Sequence, residues 1–541
     1  MVDPTAQLVV LYRRTIAPNL RRFARERHLQ VWMLAAVIGL TCGAAAVLFR
    51  YAIGVVQWTW LRDISEHVVT AAAMQPWWVV LAAPTLGGLI VGLMLKYLLH
   101  GQRAGAVAEV IEARTATGER LRFRDGMVSA GVTAVSLGAG ASAGREGPVV
   151  HLGATLASKV SHRFRLPDQA HRVLMGCGAA AAVSASFNAP IAGVLFAQEV
   201  ILAHYATTTF VPLVLASVSA TIVSRLAFGS VAAFTVPDYQ ITSFLEVPAF
   251  ALLGVVAAAV AILFQLSLMW ADRVAQDTPI PLILRPVAGG FAVGLIALAF
   301  PHVLGVGYQA TDAALKQDLP LMLMLALLVA KTAATAITLA SRFGGGVFSP
   351  ALYLGAMAGG AFGLIAASAF PDVASSEGLY AILGMGAVAA AVLGAPISTT
   401  VIVFELTGGF ALSMALLLTV SIANGLSLAV LGRSWFHNVL ALRGIAVHHG
   451  PHKLVVRMRR VSEFMIRADG DTVRRDPAAD PPALHTWDTL EKALAMFEDR
   501  QEERVPVIGD DPAVVLGWAC RVDALALYNR DLIATSEEEH H

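Results

Sequence analysis

The sequence predicts an all-α polytopic membrane protein built from two inverted repeats of tilted and broken helices, followed by a small α/β domain. Three observations predict it. The chain of 541 residues is 57% hydrophobic and 14% charged, with a mean hydropathy of +0.66, well outside the range of soluble globular proteins. Five apolar runs approach or exceed the ~20 residues that cross ~30 Å of hydrocarbon. Two separate sequence blocks recur in the same order at nearly one offset.

The first 29 residues form a basic segment, expected to be helical, with Arg13, Arg14, Arg21, Arg22, Arg25 and Arg27 ahead of the first apolar run. Positive flanks of this kind stay cytoplasmic, and the stretch is too long, with no prompt small-residue cleavage site, for a signal peptide. The spanning runs are VWMLAAVIGLTCGAAAVLFRYAIGVV, WWVVLAAPTLGGLIVGLMLKYLL, FALLGVVAAAVAILFQLSLMW, LPLMLMLALLVAKTAATAITLA and ALLLTVSIANGLSLAVL. Other apolar runs are short or broken by Gly and Pro, which predicts half-spanning helices packed inside protein. Cys42, Cys177 and Cys520 are too few and too scattered for a disulfide framework or a metal site.

The repeat is read from two blocks. PVVHLGA at Pro148 matches PALYLGA at Pro350, an offset of 202 (350 − 148). Farther on, GCGAAAAVSASFNAPIAGVLFAQE matches GMGAVAAAVLGAPISTTVIVFE, and each copy places a glutamate after an Ala-Pro-Ile: Glu199 and Glu405, offset 206 (405 − 199). The membrane region is thus two halves, 30–235 and 245–432. If each crosses an odd number of times, they are inverted and their broken helices meet near the bilayer midplane. Residues 433–452 form a membrane-exit helix and linker.

That meeting point carries GREGP at 144–148 and GGGVFSP at 344–350. Pro148 and Pro350 suit the first turn of a helix. Gly144 and Gly147 in one copy, and Gly344, Gly345 and Gly346 in the other, allow close backbone approach. Free amides and the positive end of the dipole make such helix starts anion sites, each worth ~0.3–2 kcal/mol. Several converging ends hold a halide without trapping it. A carboxylate at the bilayer centre costs roughly 2.5–3.5 kcal/mol, so Glu146 is read as a gate: a surrogate anion when charged that swings out when protonated. The alternative is a structural pair with Arg145 or a helix cap. Glu199 and Glu405 are read as packing or hydrogen-bonding groups, Lys331 as a structural group with a buried polar partner, and His151 as a satisfied core histidine.

GREGP and GGGVFSP, with the order Lys, Thr, Ser, glycines and Phe-x-Pro in KTAATAITLASRFGGGVFSP, resemble the CLC family of chloride channels and chloride/proton exchangers. The resemblance covers residues 30–445. It implies a homodimer with one pore per subunit, Glu146 as the external gate, and an anion path lined by Gly105, Ala106, Gly144, Arg145, Gly147, Gly346, Val347, Phe348 and Phe436. Three departures stand out. The family's Gly-Ser-Gly-Ile-Pro-Glu is here AGAVAE at 104–109, with Gly105 in place of the serine that contacts the central anion. RSWFHNVL places Phe436 where many members have a coordinating tyrosine. Exchangers commonly carry a second, proton-relaying glutamate where this chain has Val200. Valine carries no proton, so the expectation is passive chloride conduction gated by protonation of Glu146. The alternatives are a chloride/proton antiporter of the same fold with another internal proton path, and a different inverted-repeat carrier of organic anions.

After LALRGIAV the composition turns polar. VSEFM, the amphipathic TLEKALAMFEDRQEE, with Leu490, Leu494 and Phe497 on one face, and the strand-like RVPVIG resemble one cystathionine-beta-synthase (CBS) module over 453–532. Such modules pair, so pairing across the dimer, as structural glue rather than as a nucleotide site, is the expectation. Residues 533–541 are expected to be disordered. No nucleophile–base pair, phosphate loop or metal-spaced cluster points to an enzyme. The expected partners are chloride, a second copy of the chain and the lipid bilayer, with no nucleic acid, no cofactor and no metal, in an inner or plasma membrane with both termini cytoplasmic.

Overall fold

The computed structural model describes residues 28–115, 121–229, 243–371, 374–407 and 412–445, and in the C-terminal part 459–468, 473–474, 483–500, 502–509 and 511–540, with isolated positions such as Phe234 and Tyr239. The basic segment expected over 1–29 lies almost wholly outside these residues, as does the linker over 446–458. The chain divides into a membrane unit ending at Arg443 and a second, mainly C-terminal unit that holds Gly444 onward together with the short segments Thr115–Glu119 and His204–Thr208.

In the first half of the membrane unit the helices are α1 (His28–Leu61), α2 (Val68–Ala73), α3 (Trp77–Tyr97), α4 (Val107–Thr115), α5 (Phe123–Gly138), α6 (Glu146–Arg163), α7 (Asp168–Phe187), α8 (Pro190–Phe196), a π-helical turn Ala197–Leu202, and α9 (Thr207–Phe228). The second half comprises α10 (Val247–Asp277), α11 (Leu284–Ala299), α12 (Tyr308–Leu315), α13 (Leu321–Ala340), α14 (Phe348–Ala369), α15 (Glu377–Leu393), α16 (Pro396–Thr407) and α17 (Ser413–Leu431). The exit helix is α18 (Trp435–Leu442).

Among the described residues seven helices are long and apolar enough to cross a membrane. Five contain the runs read from sequence: α1, α3, α10, α13 and α17. The other two, α9 and α14, are diluted by threonine, serine and glycine, which suits α14 because two thirds of its span is buried inside the protein. A helix that faces protein rather than lipid is not held to the hydropathy of a lipid-facing one.

The two halves exchange the same bonds. Ser142 N–H donates to Thr338 Oγ1 at 3.1 Å and Gly344 N–H to Ser136 Oγ at 3.0 Å. Glu199 accepts from the amides of Ile397 and Ser398 at 3.1 and 2.7 Å, and Glu405 accepts from Ile191 and Ala192 at 3.1 and 2.7 Å. Swapped pairs of this kind require a local two-fold axis between the halves. The glutamates are therefore reciprocal caps, each closing the start of a short helix in the opposite repeat, where orphan amides need acceptors.

Helix packing follows the same axis. A Cβ on Gly153 would strike the Gly178 carbonyl and one on Gly178 the Gly153 carbonyl; Gly355 and Gly384 block each other in the same way. Gly355 and Gly359 also form a Gly-x-x-x-Gly pair on α14. Small residues let membrane helices approach closely enough for dispersion to hold them. Lys331, on α13, is buried and donates to the carbonyls of Val303 and Gly305 at 2.9 and 3.0 Å.

The C-terminal unit holds β1 (Ile466–Arg467), β2 (Val473–Arg474), β3 (Leu484–His485), α19 (Leu490–Arg500), β4 (Arg504–Ile508), β5 (Val514–Cys520) and α20 (Arg521–His540). The sheet order is β1-β5-β4-β3, with β2 also paired to β5. β3 and β4 are parallel, so the chain between them crosses over through α19. Leu490 and Phe497 of that helix enter a core with Val461, Leu484, Val505, Val507 and Ala519, and Leu494 packs against it. The tail expected to be disordered over 533–541 instead continues α20 as far as His540.

Gly355→Val should drive a methyl group into the Gly384 carbonyl and destabilise the membrane unit by about 3 kcal/mol, read as a lower thermal unfolding midpoint in detergent. Gly425→Val, at a position with open space around it, should shift that midpoint far less.

Candidate functional site

The two glycine loops meet as a pair of strands one residue long. Gly144 N–H donates to Gly346 O at 2.7 Å, and Gly346 N–H donates to Gly144 O at 2.8 Å. The next residues start α6 and α14 in identical register: Arg145 and Val347 are the N-caps, and Pro148 and Pro350 sit in the first turn. Proline costs nothing there, because its missing amide hydrogen would have had no intrahelical acceptor. Two helix starts are thereby aimed at one region inside the protein.

Glu146, the first residue of α6, is buried. Its Oε1 accepts from Tyr308 Oη at 3.0 Å and Ser349 Oγ at 2.6 Å. Its Oε2 has no hydrogen-bond partner among the described residues. The carboxyl is thus held by two hydroxyls, one from α12 and one from the start of α14, with half of its bonding capacity unused. Ser349 and Tyr308 were not singled out in the sequence; Ser349 lies inside GGGVFSP and was legible by its place after Phe348, whereas nothing local marks Tyr308.

Arg145 does not pair with Glu146. Its guanidinium meets Glu66 at 2.5 Å and lies over the Tyr308 ring, 4.9 Å from the centroid. Arg50 reaches the same Glu66 oxygen at 3.0 Å. Burial pushes the Glu66 carboxyl up, but Arg145 and Arg50 together bring it below the ordinary glutamate range. The arginine beside Glu146 is therefore paired with a loop residue.

Several residues expected to line the anion path have their amides engaged in this conformation. Gly144 and Gly346 spend their amides on each other. Gly105 N–H donates to Ser129 Oγ at 2.6 Å, and Ala106 N–H donates to Glu109 Oε2 at 2.7 Å. These four positions shape the site but offer it no free amide in this conformation. The amides of Gly147, Val347 and Phe348 find no acceptor among the described residues, as expected of a first helical turn. A Cβ on Gly147 would lie 3.5 Å from both Ala106 Cβ and Gly346 Cα, so the 105–107 segment, the start of α6 and the start of α14 converge. The Phe348 ring packs on Phe187 at 4.9 Å and on Phe196 at 6.1 Å between centroids. Phe436, at the start of α18, is buried. Val200 is buried in the π-helical turn beyond α8.

His151, expected to be a satisfied core histidine, is buried but not satisfied. Its Nδ1 has no hydrogen-bond partner among the described residues, and its ring lies against Gly105, where any Cβ would collide with Nε2.

Broken helices from two reciprocal halves, meeting around a buried carboxylate inside a helical membrane unit, define an inverted-repeat ion transporter. The family model described as voltage gated chloride channel matches residues 87–428. The chain is 33% identical over 389 residues to a putative chloride channel protein ClcB-like of Ralstonia nicotianae, covering 71% of this chain and 90% of that one. It is 30% identical over 400 residues to the voltage-gated ClC-type chloride channel ClcB of Escherichia coli O9:H4 (strain HS), covering 73% and 95%. Among solved structures, a slow cyanobacterial Cl⁻/H⁺ antiporter superposes with a TM-score of 0.68 at 23% identity, covering 77% of this chain and 98% of that one. A eukaryotic CLC transporter gives 0.65 at 19%, covering 93% and 89%. The chain belongs to the CLC family of anion transporters.

Glu66→Gln should leave the buried Arg145 without its carboxylate. The expected loss is about 1–3 kcal/mol, less than for a fully buried pair because Glu66 is partly exposed. The pair's contribution is present above the ordinary glutamate range and is lost as pH falls through the depressed folded value. The wild-type melting midpoint should therefore drop below about pH 4 by a component that Glu66→Gln lacks.

Proposed function

We propose that the protein exchanges chloride for protons across the membrane, with Glu146 as the group that both closes the anion path and carries the proton. The observation that carries this reading is the position of its carboxyl: it sits at the convergence of two helix starts, hydrogen-bonded among the described residues by the hydroxyls of Tyr308 and Ser349. An anion entering there competes with the Glu146 carboxylate for the same positive ends. The carboxylate gives way by taking a proton, because a charged carboxylate displaced into apolar surroundings is costly. One proton taken up for each displacement links the two fluxes.

Passive conduction, in which protonation opens the gate without net proton transfer, is the second reading. Val200 favours it, since a buried valine at this point of the path neither accepts nor donates a proton. The relatives named as chloride channels and the structure titled as a Cl⁻/H⁺ antiporter span the same two modes. A homodimer with one pathway per subunit, an inner or plasma membrane location and cytoplasmic termini belong to the proposal in either mode.

Purified protein in chloride-loaded liposomes, followed with an external pH electrode, separates the readings. Uphill proton movement driven by a chloride gradient is expected. Chloride efflux under a potassium clamp with no coupled proton movement would establish the second reading. Glu146→Gln, fixed in the neutral form, should give chloride flux that no longer depends on pH and moves no protons; an unchanged pH dependence would refute the gating role.

A further inference from the structure

We infer that the His151 imidazole is the polar anion ligand of the central site, taking the place left open by Gly105 and Phe436. The inference rests on the anion-pathway reading above and adds the residue that completes it. Three observations carry it. The 105–107 segment abuts both helix starts, yet the amides of Gly105 and Ala106 are already bound to Ser129 and Glu109. Neither Gly105 nor Phe436 has a side-chain donor. The His151 ring lies directly over Gly105, in the space that a side chain there would need.

His151 also carries a cost that a purely structural role leaves unexplained. Its residue is 7% exposed and its Nδ1 lacks a partner among the described residues, whereas buried polar atoms in native proteins are nearly always paired. A neutral imidazole has one N–H donor and one acceptor. Donating an Nδ1–H to a halide would satisfy the unpartnered nitrogen without adding a fixed positive charge, the condition for binding that still permits release. Gly105 then opens this seat: with the ring where it stands, a side chain at 105 would overlap it. Placement on α6, five residues after Glu146, puts the ligand on the same rigid element as the gate.

The test is chloride and bromide binding by titration calorimetry on the detergent-purified full chain, with size-exclusion profiles as the folding control. His151→Leu should weaken halide binding about tenfold or more, the loss of one hydrogen bond to a charged partner. His151→Gln, which keeps a donor, should stay within about threefold. Gly105→Ser alone should clash with the imidazole, and Gly105→Ser with His151→Ala should recover most of the affinity by moving the donor across the site. Wild-type affinity in His151→Leu would overturn the inference, as would a double variant no better than His151→Ala. Should the leucine and alanine variants fail to fold, bromide-soaked crystals of the wild type decide by anomalous scattering. A bromide within about 3.5 Å of the ring is expected; a bromide bound elsewhere on the path overturns the inference. No halide binding by the wild type would instead remove the anion-pathway reading itself.

Discussion

The reciprocal pair of hydrogen bonds between Gly144 and Gly346 is the constraint on which the site depends. It joins the two repeats at their local two-fold axis, and it does so with backbone alone, so the loops approach as closely as atoms allow. The glycines flanking it permit no side chain: a Cβ on Gly344 would press on Thr133, and one on Gly345 would press on Ala143. Because the bridge fixes Gly144 and Gly346, it fixes the N-caps Arg145 and Val347 and hence the starts of α6 and α14. The amides left over at Gly147, Val347 and Phe348 are those that the bridge cannot consume.

Charge inside this unit is handled by dispersal. Lys331 is bound by the two carbonyls of Val303 and Gly305, and Arg145 is answered by Glu66 and the Tyr308 ring. Among the described residues no lysine or arginine makes a direct ion pair with Glu146. A lysine or arginine at that point would hold the carboxylate, or an anion in its place, far more tightly than hydroxyls and helix dipoles do. The Arg145–Glu66 pair therefore does two things at once: it keeps the guanidinium from direct contact with Glu146 and sets it over the Tyr308 ring whose hydroxyl holds Oε1.

Much of this architecture was legible from the sequence, and the reason is periodicity. Spans such as α1 and α10 are written in uninterrupted apolar residues, and the matching offsets at Pro148/Pro350 and Glu199/Glu405 reported the repeat because symmetry-related residues face the same packing demands. What escaped were partnerships that spacing does not encode. Glu66 lies 79 residues from Arg145, and Ser129 lies 24 from Gly105. Which amide is free and which is spent depends on such contacts, so spacing alone did not show that the amides of Gly105, Ala106, Gly144 and Gly346 are engaged. The span of α14 escaped for a different reason, since a helix buried among helices has no need of a lipid-like composition. The final helix ran through residues whose composition alone suggested disorder.

The gating role proposed for Glu146 asks for a carboxyl that is stable closed and still able to leave, and its bonding suits both demands. Two hydroxyl donors on one oxygen give the carboxyl a defined seat, while the unpartnered second oxygen keeps that seat incomplete. Protonation weakens its hold, because hydrogen bonds to a neutral acid are roughly half as strong as those to a carboxylate. The hydroxyls of Tyr308 and Ser349 are equally able to donate to an anion, so in the proposed cycle the ion takes over the bonds that the carboxyl gives up. In that cycle one acceptor replaces another at fixed donors, so a single proton can bias the balance between the two states.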